Sequence, residues 1–213
     1  MPVQLPNHRS RKRLATRQEI SNAATRLFWE RGFDQVTVDE IAAATGVARM
    51  TVFNHFPRKE DMFFDRDDEA REVLREAIRQ RDPRVSPIET LRLLVHRLVA
   101  QQSPYINFSD ESQNFVRTIE GSETLKARAR AIRDEIAQVV AAALSESVER
   151  EPGDPAAHLA AGLLLATWAA ALIQAHRTFR QRRDAHEAKA LLLALVDKGT
   201  IGAKAALAGT AYA

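Results

Sequence analysis

The sequence lacks cysteine, and it has only 8 glycines, 8 prolines, 2 tryptophans and 2 tyrosines among 213 residues. Without cysteine there is no disulfide, thiolate metal site or cysteine nucleophile, which excludes a disulfide-stabilised secreted domain. The low glycine and proline content excludes collagen-like and low-complexity chains. The N-terminal stretch MPVQLPNHRSRKR is basic, but no apolar segment follows it as a secretory signal would require. We therefore expect a globular cytoplasmic protein.

Sequence signatures of catalysis are also missing. The chain contains no HExxH, GxSxG, GxGxxG or glycine-rich phosphate loop, and its six histidines are scattered. His158 and His176 could share a helical face, but they would lie about 27 Å apart and could not hold one metal ion. The acidic cluster around Asp65 to Glu69 is typical of a solvated helix face. We predict no catalytic residue, metal site or cofactor; a small all-α enzyme with a basic N-terminal module is the alternative class.

Positive charge is concentrated at the N-terminal end. Residues 1–59 contain 10 Lys or Arg against 5 Asp or Glu, whereas the remainder contains 21 against 23. A basic module joined to a nearly neutral one indicates a polyanionic partner, with nucleic acid the leading candidate. A compactor that binds DNA through charge alone is a further alternative.

Residues 16–56 have the pattern of three helices separated by short turns. The first helix has apolar residues on one face and is expected to end near Gly32, because glycine is favourable just past a helix C-terminus. That apolar face consists of Ile20, Ala23, Ala24, Leu27 and Phe28.

The next two helices are short. Thr37 and Glu40 are spaced as a capping box at the start of the second helix, and Gly46 is placed to end it. The third helix is expected from about Ala48 to His55, because Pro57 disfavours helical conformation in the preceding residue.

The third helix divides into two faces. At about 100° per residue, Val52, Phe53 and Phe56 lie on one side, and the other side carries the polar or flexible residues Met50, Thr51, Asn54 and His55. A short helix, a glycine turn and a second helix with a polar face predict a helix-turn-helix, whose second helix enters the DNA major groove. Asn can bond adenine in two places, and Arg can do so with guanine. Phosphate binding alone does not require such a face, which argues against the compactor.

The segment TVDEIAAATGVARMTVFNHFPRKEDM resembles the N-terminal signature of the TetR family of bacterial transcription regulators, and the match extends over about 47 residues, from Thr16 to Met62. The resemblance implies that Arg49, Met50, Thr51 and Asn54 read operator bases. It places Phe53, His55 and Lys59 at or near the phosphate backbone, with Thr37 capping the second helix and approaching a phosphate.

Three positions depart from the family pattern. Ala48 replaces a frequent serine, so the third helix should lack a side-chain N-cap. Phe53 replaces a tyrosine whose hydroxyl often reaches phosphate, and Arg58 replaces a small polar residue. Base preference therefore does not transfer from other members.

The stretch HRSRKRLATR before the predicted first helix carries Arg13 within a run of basic residues. Such a run is typical of a solvated, disordered tail, and it is also typical of an arm that tracks phosphates or enters the adjacent minor groove. The two interpretations are compatible, because an arm can become ordered only on DNA. We count Arg13 among the candidate DNA-binding residues.

The rest of the chain also has helical patterns, so the predicted fold is all-α. We expect a DNA-binding domain at residues 1–57 and a helical effector-binding and dimerisation domain at 58–213. A single acidic helix is predicted from Lys59 to Asp82, before Pro83. Further helices are predicted around 88–102, 110–120 and 122–150.

The segment from Leu159 to Ala175 contains no charged residue. It is shorter than the roughly 20 apolar residues that span a membrane, so we expect it to be covered by protein. With Ala188 to Val196, it matches the last two helices of TetR-like proteins, which pair across a two-fold axis. The resemblance thus implies a homodimer on a pseudo-palindromic operator with half-sites about 34 to 36 Å apart.

The resemblance also implies regulation, most often repression, by a small molecule bound in the C-terminal domain. Candidate pocket residues are large or polar side chains on otherwise apolar helices, and ordinary core packing is the alternative for each. They are Phe64, Leu93, His96, Phe108, Phe115, Ile119, Trp168, Leu172 and His176.

Overall fold

The computed structural model describes residues 8–213, and within them it contains helices and no strand. The predicted all-α fold with an N-terminal helix-turn-helix is confirmed. The chain divides into two compact units. One takes in the chain up to Arg66 together with Arg117–Arg128, and the other comprises Asp67–Val116 and Ala129–Ala213.

Ten α-helices and one 3-10 turn make up the described part of the chain. In order, they are α1 (His8–Arg31), the turn Phe33–Gln35, α2 (Val38–Thr45), α3 (Arg49–His55), α4 (Lys59–Phe63), α5 (Asp67–Arg79), α6 (Pro87–Ala100), α7 (Asp110–Glu120), α8 (Glu123–Ser147), α9 (Pro155–Arg182) and α10 (Ala185–Ala206).

The core of the first unit forms around the predicted apolar face of α1. Ile20, Ala24 and Phe28 are buried there, and the Phe28 ring lies 4.9 Å from the ring of Phe33 and 6.1 Å from that of Phe63. Aromatic pairs in this tilted geometry add to the stabilisation from apolar burial. The core holds α1 against α2 and α4.

Helix α2 has both predicted ends. The Thr37 hydroxyl accepts a hydrogen bond from the Glu40 amide at 3.3 Å, and the Glu40 carboxylate accepts one from the Thr37 amide at 2.8 Å. Gly46 ends the helix with φ 66°, a left-handed conformation that glycine adopts without strain. The predicted capping box and glycine cap are confirmed.

Helix α1 begins eight residues earlier than Thr16, at His8. Arg, Lys, Leu and Ala have good helix propensity, and no glycine or proline interrupts residues 8–15, so nothing ends the helix before that point. The expectation of a disordered tail is wrong for this part, whereas residues 1–7 lie outside the described chain.

The single acidic helix predicted from Lys59 to Asp82 is also wrong, because the chain leaves helical conformation between Phe63 and Asp67. The Ser21 hydroxyl contacts the Met62 carbonyl oxygen at 3.3 Å and also donates to the Asp65 carboxylate. In a continuous helix the Met62 carbonyl would accept from the amide four residues later. Ser21 of α1 therefore supplies a hydrogen-bond partner to two groups at the break in the helix.

Helices α9 and α10 form the most extensive helix pair in the second unit, and α10 also packs on α6. Ala171, Ala175 and Phe179 of α9 are buried with Leu192 and Val196 of α10. Small side chains on α9 allow the helix backbones to approach closely.

Helix α9 is long and apolar enough, by length and composition alone, to cross a membrane. Its most apolar 18-residue window has a mean hydropathy of 1.8, but only 28% of that window is buried within the chain. Much of this apolar surface is therefore uncovered in a single copy.

Helix α9 approaches α10 closely at Gly199. A Cβ atom at that position would lie 2.1 Å from Cγ2 and 2.6 Å from Oγ1 of Thr167. We predict that Gly199→Ala lowers the free energy of unfolding by about 1 to 3 kcal/mol, although alanine is the better helix former. Urea denaturation measures the change.

The control is to introduce Gly199→Ala into a Thr167→Ala variant, which lacks both of those contacting atoms. Gly199→Ala should cost clearly less stability in that background than in the wild type. Equal costs in the two backgrounds would show that the Thr167 side chain does not restrict this position.

The capping box also predicts a pH dependence. Hydrogen bonds from the Thr37 backbone and from the Arg31 side chain lower the pKa of Glu40 from 4.5 to about 2. Because the folded-state pKa is depressed, the stabilisation is complete above pH 4.5 and is lost as pH falls toward 2. In Glu40→Gln, urea denaturation midpoints should therefore fall less between pH 5 and pH 2 than in the wild type.

The control is Glu30→Gln, which neutralises an exposed carboxylate at the end of α1. It should leave the wild-type pH dependence in place. If Glu40→Gln behaves like this control, the carboxylate does not stabilise the start of α2.

Candidate nucleic-acid interface

Helix α3 is anchored by its apolar face. Val52 and Phe56 are fully buried in the first unit, and Phe53 is partly buried. The N-cap residue Ala48 makes no side-chain capping hydrogen bond, as predicted from the alanine at this position. Tertiary burial therefore holds this seven-residue helix, since a helix so short is unstable by itself.

The opposite face of α3 is open to solvent. The Met50 side chain is 68% exposed, Arg49 and Asn54 are also exposed, and Thr51 is partly exposed. These are the four predicted base-reading residues, and the structure brings them to one surface. They offer a guanidinium, a thioether, a hydroxyl and an amide to a partner, the side-chain types that distinguish base edges in a major groove.

Arg49 is accessible even though it begins the helix close to its apolar side. Its guanidinium lies 3.2 Å from the Asp39 carboxylate of α2 and 5.5 Å from the centre of the Phe53 ring. Both members of the ion pair are more than half exposed, so the pair contributes little stability and can be exchanged for another partner.

Arg17 of α1 holds the C-terminal end of α3. Its guanidinium donates a hydrogen bond to the His55 carbonyl oxygen and lies 4.0 Å from the centre of the Phe56 ring. A cation that bonds a terminal carbonyl is favourable at a helix C-terminus. Sequence reasoning placed Arg17 only within a basic run and missed this contact, because residues 38 apart give no local signal.

His55 lies half-buried beside this contact. Burial lowers the pKa of its imidazole below the ordinary 6.5, and the charges of Arg13 and Arg17 lower it further. The ring is therefore mainly neutral at pH 7, and a contact from it to a phosphate would be a hydrogen bond rather than an ion pair.

Thr37 and Lys59, both predicted near phosphate, already have partners within the unit. The Thr37 hydroxyl lies 2.9 Å from the Glu40 carboxylate. Lys59 Nζ donates to the carbonyl oxygens of Phe33 and Val36, each at 2.9 Å, and burial lowers its pKa. Two of its three N–H groups thus fix the 3-10 turn, and its phosphate contact stays a prediction.

Arg13 is exposed on the first turns of α1, next to the exposed Arg11 and Lys12. Arg58, just before α4, is exposed as well. These cations are available to a polyanion.

The candidate effector residues do not form one set. Phe64 and Ile119 belong to the first unit and the other seven to the second. In the second unit, Phe108 is buried with its ring 4.9 Å from that of His176, and Trp168 and Leu172 pack on the same cluster. The Gln113 side-chain nitrogen lies 3.0 Å from Nδ1 of His176. The Trp168 indole nitrogen is buried without a hydrogen-bond partner in the described chain.

The remaining candidates lie elsewhere in the second unit. His96 Nε2 is 2.7 Å from the Asp197 carboxylate, which also receives Arg92 at 2.8 Å, so His96 joins α6 to α10. Leu93 is 41% exposed on another face of α6, and Phe115 is partly buried on α7. Within the described residues, no group of three or more His, Asp or Glu side chains could hold a metal ion.

The N-terminal region of the chain is similar to known proteins. Residues 20–65 match the family described as bacterial regulatory proteins, tetR family. The transcriptional repressor AcnR of Corynebacterium glutamicum is 43% identical over 58 residues, which are 26% of this chain and 31% of that protein. The match thus spans less than a third of the relative's length.

Two solved structures extend the likeness to the whole fold. One is a TetR-family transcriptional regulator of Mesorhizobium loti, with a TM-score of 0.56, 21% identity and coverage of 92% of this chain and 98% of that one. The other is a complex of SmeT with triclosan, with a TM-score of 0.56, 19% identity and coverage of 88% and 91%. At these identities the likeness concerns the fold. The N-terminal region of the chain therefore matches the tetR family of bacterial regulatory proteins, and its helical architecture resembles that of the two solved structures.

Proposed function

We propose that this protein is a ligand-responsive transcriptional regulator, a repressor that binds a pseudo-palindromic DNA operator as a homodimer in the cytoplasm. The proposal rests on the solvent-facing side of α3, which carries the four base-reading candidates Arg49, Met50, Thr51 and Asn54. The opposite side of the helix is anchored by the buried residues Val52 and Phe56. The similar protein AcnR is a transcriptional repressor, which supports repression as the mode of regulation.

In this proposal α3 lies in the major groove and cations of α1 meet the phosphates. Arg49 and Asn54 are the strongest base-reading candidates, because both side chains can bond a base edge in two places. We assign contacts with the DNA phosphate backbone to Arg13, Phe53, His55 and Lys59. Thr37, at the start of α2, is assigned a phosphate contact as well. We assign DNA reading to residues 1–57, with residues 58–66 and Arg117–Arg128 supporting the same compact unit.

Residues 58–213 supply effector binding and dimerisation in this proposal. A small molecule bound in the SmeT structure supports the effector role, and the group around Phe108, Trp168, Leu172 and His176 is the best of the predicted sites. The free indole N–H of Trp168 could donate to an acceptor on such a molecule. The effector releases DNA only if it binds the DNA-incompetent conformation more tightly.

The dimer contact is assigned to α9 and α10. Leu159, Gly162, Ala166 and Ile173 form an exposed apolar stripe on α9, and Ala194 and Ile201 are exposed on α10. Ile173 is 52% exposed and Ile201 is 69% exposed. An uncovered apolar surface of this kind marks a protein or membrane contact. A second copy covers it best, because small residues allow close packing of helices across a two-fold axis.

The base-reading role is tested with Asn54→Ala. On a duplex that the protein selects from random DNA, the variant should bind about 1 to 3 kcal/mol more weakly, because a base-edge contact is lost. Its affinity for a scrambled duplex should be unchanged in fluorescence anisotropy at the same salt concentration.

The matched control is Arg13→Ala, which should weaken binding to both duplexes alike and reduce the salt dependence. If Asn54→Ala also weakens both duplexes alike, Asn54 does not read bases.

The dimer contact is tested with the double variant Ile173→Asp and Ile201→Asp. Burying these carboxylates against a second copy is unfavourable, so light scattering should show the mass of one chain where the wild type shows two. The control Leu14→Asp charges another exposed leucine, on α1, and should leave the mass unchanged. A dimer that persists in the double variant would place the contact elsewhere.

A further inference from the structure

A large open cleft lies within the second unit, between α5 and α6. Its volume is about 840 Å³, within the range of cavities that bind small molecules. Apolar side chains make its less exposed part: Val73 and Ala77 of α5, and Leu94 and Leu98 of α6. Leu93 is the only predicted effector residue that lines it, so Phe108 and His176 are not part of the cleft lining.

Carboxylates dominate the charges of the cleft. Glu69, Glu72 and Glu76 line the α5 wall at positions that share one helical face, and Asp82 lies beyond the end of that helix. Two guanidinium groups, those of Arg81 and Arg97, are also in the lining. Four negative groups therefore face two positive ones.

The two arginines differ in their availability. The Arg81 guanidinium donates to the carbonyl oxygens of Val85 and Ser147, each at 2.9 Å, so backbone groups already occupy it. Arg97 is exposed on the wall opposite the glutamates. It is the cation that most directly opposes a positively charged ligand.

The carboxylates can exchange their present partners. Glu72 pairs with Arg75 and Glu76 with Arg79, one helical turn away on the same helix; the first pair is exposed to solvent, and in the second Arg79 is exposed and Glu76 is partly exposed. Exposed pairs of this kind contribute little, so a ligand can replace them at low cost.

An aromatic ring adds a further preference for a cation. The Tyr105 ring lines the cleft, and its hydroxyl donates to the Glu69 carboxylate at 3.0 Å. A ring face beside a carboxylate attracts organic cations through both charge and the ring quadrupole.

We propose that the cleft between α5 and α6 binds amphipathic organic cations, with the apolar part of the ligand on Val73, Ala77, Leu94 and Leu98 and its positive charge against the glutamates of α5. The glutamates of α5 favour a ligand with a positive charge, and the aliphatic side chains of the cleft favour a ligand whose remaining part is apolar. This binding does not depend on whether α3 reads DNA.

The test uses two probes of matched size and shape and opposite charge, tetraphenylphosphonium and tetraphenylborate. Their binding to the full-length protein without DNA is measured by isothermal titration calorimetry at moderate ionic strength. We expect saturable binding of tetraphenylphosphonium at least about tenfold tighter than that of tetraphenylborate, because the lining carries an excess of negative charge.

Three variants locate the site. The double variant Glu72→Gln and Glu76→Gln should bind tetraphenylphosphonium about three- to tenfold more weakly, whereas Arg97→Gln should bind it more tightly because a like charge is removed. Asp68→Asn, on α5 but outside the cleft, should bind as the wild type does. Thermal melting confirms that each variant is folded.

Equal binding of the two probes would overturn the charge preference. Unchanged affinity in the double glutamine variant, or no saturable binding of tetraphenylphosphonium, would overturn the site. A protein that bound the cation but selected no DNA sequence would refute the proposed function and leave the cleft in place.

Discussion

The attachment of α3 to the rest of the first unit is the constraint on which the proposed DNA-reading surface depends. Val52 and Phe56 fix one face of the helix by burial, and Arg17 bonds the carbonyl oxygen at its end while covering the Phe56 ring. Because α3 has only seven residues and no side-chain N-cap, these contacts determine where Arg49, Met50 and Asn54 stand. A shift of α3 on α1 would move all the base-reading candidates together.

In the second unit, a small residue determines how closely two helices pack. Gly199 lets α10 approach the Thr167 side chain of α9 closely, and both helices carry exposed apolar residues. The polar contacts of His96 and Arg92 with Asp197 connect α10 to α6, which also forms one wall of the cleft between α5 and α6. A ligand that displaced α6 would therefore act directly on the helix assigned to the dimer contact.

Local signals in the sequence predict much of the first unit. The capping box of Thr37 and Glu40, the left-handed Gly46 and the uncapped start of α3 depend on residues close together in the chain, and all three are present. The break after Phe63 and the contact from Arg17 to α3 depend on partners about 40 residues away, which no local pattern reveals. The effector candidates divided between the units for the same reason: an apolar periodicity identifies a buried face, but not the helix that covers it.

The most direct test of base reading by α3 is selection of DNA from a random duplex pool by the purified protein at near-physiological salt. A dimer that reads bases should enrich a pseudo-palindrome with half-site centres about 34 to 36 Å apart and bind it about a thousandfold or more tightly than a scrambled duplex. A pool without enrichment, in which every duplex binds equally and with the same strong salt dependence, would show that only phosphates are contacted and would contradict it.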